Sequence, residues 1–263
     1  MPFTLSHAAA AIPFRRTRLI MSAIVTGCFV PDFPHFLLLS RHVAFSHTIV
    51  GMFVLDLPLA IVALWIFHAF IKQPMLMFFP SGVRRRLTTS VDTFGFWPPE
   101  RLSLIVLSIL TGTTTHLLWD AFTHDNSWIC QNWAFLRRWV DLPVTGGMPM
   151  YTLLEYASSV FGLALVAVWI WHWYRVSTPS AALVTQPMDA AHRRAFVAAL
   201  TVPAALGGAL RSWLINGIHL QIRPIVHFTA DMLVSAITLF LLGLLVCGVI
   251  LRRNTSVSSC SPV

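Results

Sequence analysis

Three residues near the end of an apolar stretch have side chains that bind metal ions. His116, Asp120 and His124 lie within T-T-T-H-L-L-W-D-A-F-T-H, residues 113–124. Each step of four residues turns a helix by about 40° beyond one full turn, so the three side chains share one face. Two imidazoles and a carboxylate make half of a typical site for Zn²⁺ or Mn²⁺. The other half must come from elsewhere in the chain.

The composition indicates that most of this chain lies in a membrane. Of its 263 residues, 56% are hydrophobic and only 11% are charged, whereas soluble domains carry about 25% charged residues. Several apolar stretches reach the ~20 residues that cross a bilayer. We therefore predict an all-α, polytopic helical bundle with five to six transmembrane helices. It forms a single integral membrane domain over residues 1–253, and a flexible tail follows at 254–263.

The apolar stretches define five predicted spans and one ambiguous segment. The five spans are 47–71, 102–121, 150–174, 195–215 and 227–251. The stretch 19–39 is interrupted by Pro31, Asp32 and Pro34, so it is either a sixth span or a re-entrant segment.

Positive charges orient the predicted bundle. Lysine and arginine residues collect in alternate loops, around 72–86, 175–194 and 252–253, which places those loops in the cytoplasm. Arg137 and Arg138 run against this trend. Since the basic residues follow membrane topology, the net charge of +8 requires no nucleic-acid partner.

This orientation gathers polar residues at the non-cytoplasmic face. His47 opens one span, His116 and Asp120 close the next, and Asp32 lies in the preceding segment. Ionisable residues at membrane depth are costly and are usually functional. We therefore predict a hydrolytic metal centre at this interface, acting on a lipid headgroup or another interfacial ester. Asp56, deeper in its span, is interpreted as structural, paired with a polar group of the bundle.

Five short motifs carry a family resemblance: M-P-F-T-L-S-H, V-P-D-F-P, F-S-H-T, H-L-L-W-D-A-F-T-H and M-P-M-Y-T-L-L-E-Y. Over residues 1–175 the chain resembles a bacterial multi-pass membrane family defined as a domain of unknown function. That family is similar to inner-membrane metal-dependent hydrolases and, distantly, to zinc-dependent phospholipase C and the P1-type nucleases. The resemblance implies a bacterial cytoplasmic (inner) membrane location.

The resemblance also implies a ligand set, namely His7, Asp32, His47, His116, Asp120 and His124. Asp120 would be the bridging and catalytic carboxylate. The soluble phosphodiesterases add an HxxxE motif on a later helix. Here Glu155 is the only carboxylate in a comparable place, and it lacks the histidine. The expected cofactor is therefore one or two divalent ions, zinc or alternatively manganese, rather than three.

His7 raises a topological conflict. If 19–39 crosses the bilayer, His7 lies about 30 Å of hydrocarbon away from Asp120. Either the first segment re-enters, or His7 is not a ligand.

Three functions remain open at this point. We expect a metal-dependent hydrolase whose partners are membrane lipids and a small or lipid-like substrate. The alternatives are an ion or proton transporter that uses the His/Asp set as a path, and a non-catalytic scaffold whose metal only staples helices. Transporters hold their ions near the midplane, whereas these residues collect at one face, which favours the hydrolase.

Overall fold

The computed structural model describes residues 3–39, 44–87, 94–142, 146–180, 189–217 and 222–258. Its α-helices are α1 (Met21–Phe29), α2 (Phe33–Leu38), α3 (Ile49–Gly51), α4 (Leu57–Ile66), α5 (Lys72–Phe78), α6 (Ser81–Leu87), α7 (Pro99–Asp120), α8 (Trp128–Asn132), α9 (Ala134–Arg137), α10 (Met150–Val176), α11 (Ala190–Asn216) and α12 (Ile222–Ser258). Segments of 3₁₀ helix cover Thr4–Arg16, Val30–Asp32 and Phe45–His47, and π-helical segments cover Met52–Asp56 and Phe67–Ile71. Strands β1 (Trp139–Val140) and β2 (Met148–Pro149) form a short antiparallel pair.

Six helical segments within the described residues are long and apolar enough to cross a membrane. They are Met21–Leu38, Ile49–Phe78, Pro99–Asp120, Met150–Val176, Ala190–Asn216 and Phe228–Arg253. The all-α fold class is confirmed, and the segments indicate a multi-pass membrane protein. The second segment continues past its predicted end at residue 71 because Lys72 does not interrupt the helix. It stops instead where the Phe79 backbone becomes extended.

The chain divides into two compact units. The first comprises Met1–Phe33, Val43–Leu64 and Gly95–Val176, and it contains every predicted metal ligand. The second comprises Pro34–His42, Trp65–Phe94 and Ser177–Val263.

Helices α11 and α12 pack together in the second unit. The Ser212 hydroxyl donates to the Phe228 carbonyl at 2.7 Å, and the Asn216 amide donates to Asp231 at 2.8 Å. Helix α12 extends to Ser258, into the predicted tail, and residues 259–263 lie outside the described part of the chain.

In the first unit the N-terminus folds back as a hairpin. The Thr4 hydroxyl donates to Asp32 at 2.6 Å, while residues 17–20 join the other ends of the 3₁₀ helix and α1, so these segments run antiparallel. The Ile20 amide, just before α1, donates to Ser108 Oγ of α7 at 2.9 Å. Ser108 lies about 18 Å along α7 from Asp120 at 1.5 Å per residue. The turn of the hairpin therefore lies about 18 Å along α7 from Asp120, which is less than the ~30 Å thickness of the hydrocarbon core. Because the two segments of the hairpin are antiparallel, His7 lies at the Asp120 end of α7.

Two glycines allow α1 and α7 to approach closely. A Cβ atom on Gly27 would overlap the Ile109 carbonyl, and one on Gly112 would overlap the Ile24 carbonyl. Small residues at such crossings let membrane helices pack backbone against backbone. This contact brings the end of α1 against the His116 ring.

Candidate metal centre

The structure brings all six predicted ligands together within the first unit. His7 comes from the N-terminal 3₁₀ helix, Asp32 from the segment after α1, and His47 from the segment before α3. Helix α7 supplies His116 and Asp120 near its end, and the turn that follows supplies His124.

Asp120 lies at the centre of the cluster. Its Oδ2 atom is 3.4 Å from Nε2 of His47 and 3.2 Å from Nε2 of His116. The same oxygen is 3.6 Å from Nε2 of His124. The other oxygen, Oδ1, is 3.4 Å from Nε2 of His7. The two carboxylate oxygens therefore face different imidazoles.

Asp32 supplies a second carboxylate beside Asp120. Its Oδ1 atom is 3.5 Å from Nε2 of His47 and 3.7 Å from Nε2 of His116. Its other oxygen accepts the Thr4 hydroxyl bond, which fixes the direction of the carboxylate.

The residues of the cluster differ in how far their side chains are buried. The side chains of His7, Asp32 and His116 are at most 1% exposed, and that of Asp120 is 5% exposed. By contrast, the side chains of His47 and His124 are 23% and 21% exposed. The outer parts of these two rings therefore reach the surface, whereas their Nε2 atoms, which face the centre, are buried.

Three of the imidazoles are held through their second nitrogen. Nδ1 of His116 donates to the Cys28 carbonyl at 2.7 Å, and Nδ1 of His124 donates to the Asp120 carbonyl at 3.0 Å. Nδ1 of His47 lies 3.1 Å from the Ser46 hydroxyl. In a neutral ring whose Nδ1 carries the proton, Nε2 keeps its lone pair. This outer set of bonds is the arrangement that orients metal-binding histidines.

The atoms that face the centre lack hydrogen-bond partners. These buried atoms are Nε2 of His7, His47, His116 and His124, Oδ1 of Asp32, and both carboxylate oxygens of Asp120. Buried polar groups are normally paired. The separations of 3.2–3.7 Å exceed the 2.7–2.9 Å of charge-assisted hydrogen bonds. They match two ligands that each lie about 2.1 Å from one tetrahedral ion, which are about 3.4 Å apart.

The donor set therefore fits a divalent cation. Two triads have ligand atoms that all lie within 4.8 Å of one another: His7 with His116 and Asp120, and Asp32 with His47 and His116. These triads could hold a metal ion, since imidazole nitrogen and carboxylate oxygen suit several divalent metals.

Two histidines of the cluster that lie outside the membrane-spanning helices, His47 and His7, have pKa values shifted in opposite directions. Burial opposes a positive charge on His47, but the carboxylates of Asp120 and Asp32 outweigh it and raise the pKa of His47 to about 9. Burial lowers the pKa of His7, against the opposing attraction of Asp120. A cation must therefore displace a proton from His47 near neutral pH, whereas His7 is already neutral.

Asp56 is the residue whose surroundings differ most from the sequence interpretation. It ends the π-helical segment Met52–Asp56 and is fully buried, and its carboxylate oxygens have no hydrogen-bond partner among the described residues. The polar partner expected for it is therefore not found there. An ionisable residue inside a predicted span was the available signal, but sequence periodicity gives no sign of a π-helical segment.

Glu155 lies on α10, where the Ser159 hydroxyl donates to its backbone carbonyl at 2.8 Å. It is not part of either ligand triad found among the described residues. The described site therefore rests on two carboxylates.

One known protein family matches nearly the whole chain. The model of a family described as "Domain of unknown function (DUF4184)" matches residues 1–251. The chain belongs to this family. The DUF4184 match extends past residues 1–175, where the sequence resemblance was seen, and it includes α11 and most of α12. No curated protein and no solved structure matches the chain.

Proposed function

We propose that this DUF4184 protein is a membrane-embedded, metal-dependent hydrolase that cleaves a phosphodiester or a related ester at the membrane surface. The observation that carries the proposal is the convergence of buried imidazole and carboxylate atoms without hydrogen-bond partners. A structural metal ion that only holds the helices together would also explain this convergence. The partial exposure of His47 and His124 favours an enzyme, because a catalytic site keeps a position open whereas a structural site is closed.

The position of the cluster argues against a transport path. His116 and Asp120 lie in the last turn and a half of α7, and His124 follows the helix. Transporters place their ion sites near the middle of the membrane, at interrupted helices. A cluster at a helix end is better suited to a substrate that lies at the membrane–water interface.

The residues of the site would have distinct roles in metal binding and substrate access. A divalent cation, zinc or alternatively manganese, would act as a Lewis acid and lower the pKa of a coordinated water. Asp120 would hold the centre together through both of its oxygens. Thr4 would keep Asp32 in position, and Cys28 would keep the His116 ring in its binding tautomer. His47 and His124 would form the rim that admits the substrate.

An activity assay on purified protein tests the proposal. Wild-type protein in detergent, supplied with Zn²⁺ or Mn²⁺, is expected to hydrolyse bis(p-nitrophenyl) phosphate, and Asp120→Asn is expected to lower kcat by about 100-fold or more. Asp231→Asn is the matched control, since it removes a buried membrane carboxylate of the second unit. A wild-type protein that binds metal but shows no turnover on this ester or on phospholipids would favour the scaffold instead.

A further inference from the structure

An apolar cavity lies beside the metal cluster in the first unit. Its volume is about 580 Å³, and its walls include Trp119, Phe122, Trp133, Leu136, Ala157 and Phe161. This volume falls within the usual range of small-molecule sites. Trp133 is 50% exposed and Phe161 is 62% exposed, so the cavity is open at the protein surface. Because the side chains around this opening are apolar, we expect it to face lipid in the membrane.

The cavity and the cluster share a wall. Trp119 precedes Asp120 on α7, and its ring lies 5.3 Å from the His7 ring between centroids. Thr123, between Asp120 and His124, also lines the cavity. An apolar chain in the cavity would therefore place an attached polar group close to the cluster.

The opposite side of the same loop is basic. A second depression is lined by Gln131, Asn132, Ala134, Arg137 and Arg138. Both arginines are exposed. The segment Ala134–Arg137 thus separates an apolar surface from a cationic one. Arginine is well suited to bind phosphate because its planar guanidinium can form two parallel hydrogen bonds.

The position of Arg137 and Arg138 is unusual for the predicted membrane topology. They lie between the end of α7 and the start of α10, which is the cluster end of the first unit. The charge distribution of the other loops predicts that this end is not cytoplasmic, and basic residues are usually sparse there. A ligand with negative charge explains their presence where the topology rule does not.

We propose that the cavity binds an acyl chain of an anionic glycerophospholipid whose headgroup contacts Arg137 and Arg138. This assignment rests on the proposed function and specifies its substrate class. The lipid would enter sideways from the bilayer, with its chain between α7 and α10. Its phosphodiester would then lie between the apolar cavity and the arginines, beside the wall formed by Trp119 and Thr123.

Lipid binding can be measured without turnover. Native mass spectrometry would compare phosphatidylglycerol with phosphatidylcholine of identical acyl chains, on chelator-treated wild-type protein and on Asp120→Asn. The chelated wild type gives the answer even if the Asp120 variant does not fold. Wild-type protein is expected to bind phosphatidylglycerol about tenfold more tightly than phosphatidylcholine.

Variants separate the two parts of the site. Ala157→Trp fills the cavity and is expected to weaken binding of both lipids at least about fivefold. Ala164→Trp places the same bulk on an exposed position of the same helix face, outside the cavity, and is expected to have no effect. The double variant Arg137→Gln, Arg138→Gln is expected to lower phosphatidylglycerol binding to the level of phosphatidylcholine.

Equal binding of both lipids, or binding insensitive to Ala157→Trp, would overturn the assignment and indicate only surface-adsorbed lipid. Failure of the hydrolase proposal gives a different result. In that case the lipid selectivity and its loss in the variants persist, but metal-loaded wild-type protein leaves phosphatidylglycerol intact.

Discussion

Nε2 of His116 lies 3.2 Å from Oδ2 of Asp120, one helical turn along α7, while its Nδ1 donates to the Cys28 carbonyl of α1 at 2.7 Å. The first contact follows from the spacing of four residues within one helix. The second requires α1 to lie directly against α7. Since the carbonyl can only accept, it holds the proton on Nδ1 and directs the Nε2 lone pair of the neutral ring toward the carboxylates.

The central role of Asp120 predicts loss of bound metal when its charge is removed. Asp120→Asn replaces an anionic oxygen that faces three imidazoles with a neutral amide, so zinc or manganese affinity is expected to fall at least about 100-fold. Elemental analysis of the detergent-purified protein would measure this loss. Asp231→Asn should retain the wild-type metal content. Equal metal content in all three proteins would contradict a metal site at Asp120.

The local part of this site could be predicted from the sequence, whereas its long-range part could not. The spacing of His116, Asp120 and His124 places them on one helix face, and charge alternation brings His47 to the same end. His7 could not be placed, because its position depends on a hairpin held by the close contact of α1 with α7. No periodicity in the sequence records that contact.

The hydroxyl of Thr4 predicts an outer-shell effect on the metal site. It donates to Asp32 Oδ2 at 2.6 Å and thereby directs Oδ1 toward His47 and His116. Thr4→Val keeps the shape but removes this donor, so metal affinity is expected to fall about 10- to 100-fold. Competition with a chelator of known affinity would measure the change. Thr4→Ser retains the hydroxyl and should stay close to the wild type. A Thr4→Val protein with wild-type affinity would rule out a positioning role for this bond.

The raised pKa of His47 predicts opposite pH trends for metal binding and for metal-free stability. Below pH 9 a cation must displace the His47 proton, so apparent metal affinity is expected to rise with pH up to about pH 9. In metal-free protein the charged His47 stabilises the fold through Asp32 and Asp120. That contribution is complete below the ordinary pKa of about 6.5 and is lost as pH rises through 9.

Chelator competition and thermal unfolding at pH 6.5 and 9 would measure these two trends on the same protein. The glutamine in His47→Gln cannot titrate, so this variant should show a weaker pH dependence of metal affinity and of metal-free stability. Stability that rises with pH in the metal-free wild type would contradict the pairing of His47 with the carboxylates.

The two oxygens of Asp120 predict the number of ions. Oδ1 faces His7, whereas Oδ2 faces His47, His116 and His124. If Asp120 bridges two ions, each of its oxygens would bind one of them, so two ions per chain are expected. His7→Ala removes the imidazole on the Oδ1 side and is expected to reduce the metal content from two ions to one.

Elemental analysis would measure the number of ions per chain in the wild type and in His7→Ala. The control is His172→Ala, which replaces an exposed histidine of α10. A wild-type content of one ion that persists in His7→Ala would assign a different role to His7. Its ring stacks on that of His116 at 4.0 Å between centroids, so it would then support that ligand by packing. A complete loss of metal in His7→Ala would instead mean that a single ion draws on both oxygens of Asp120.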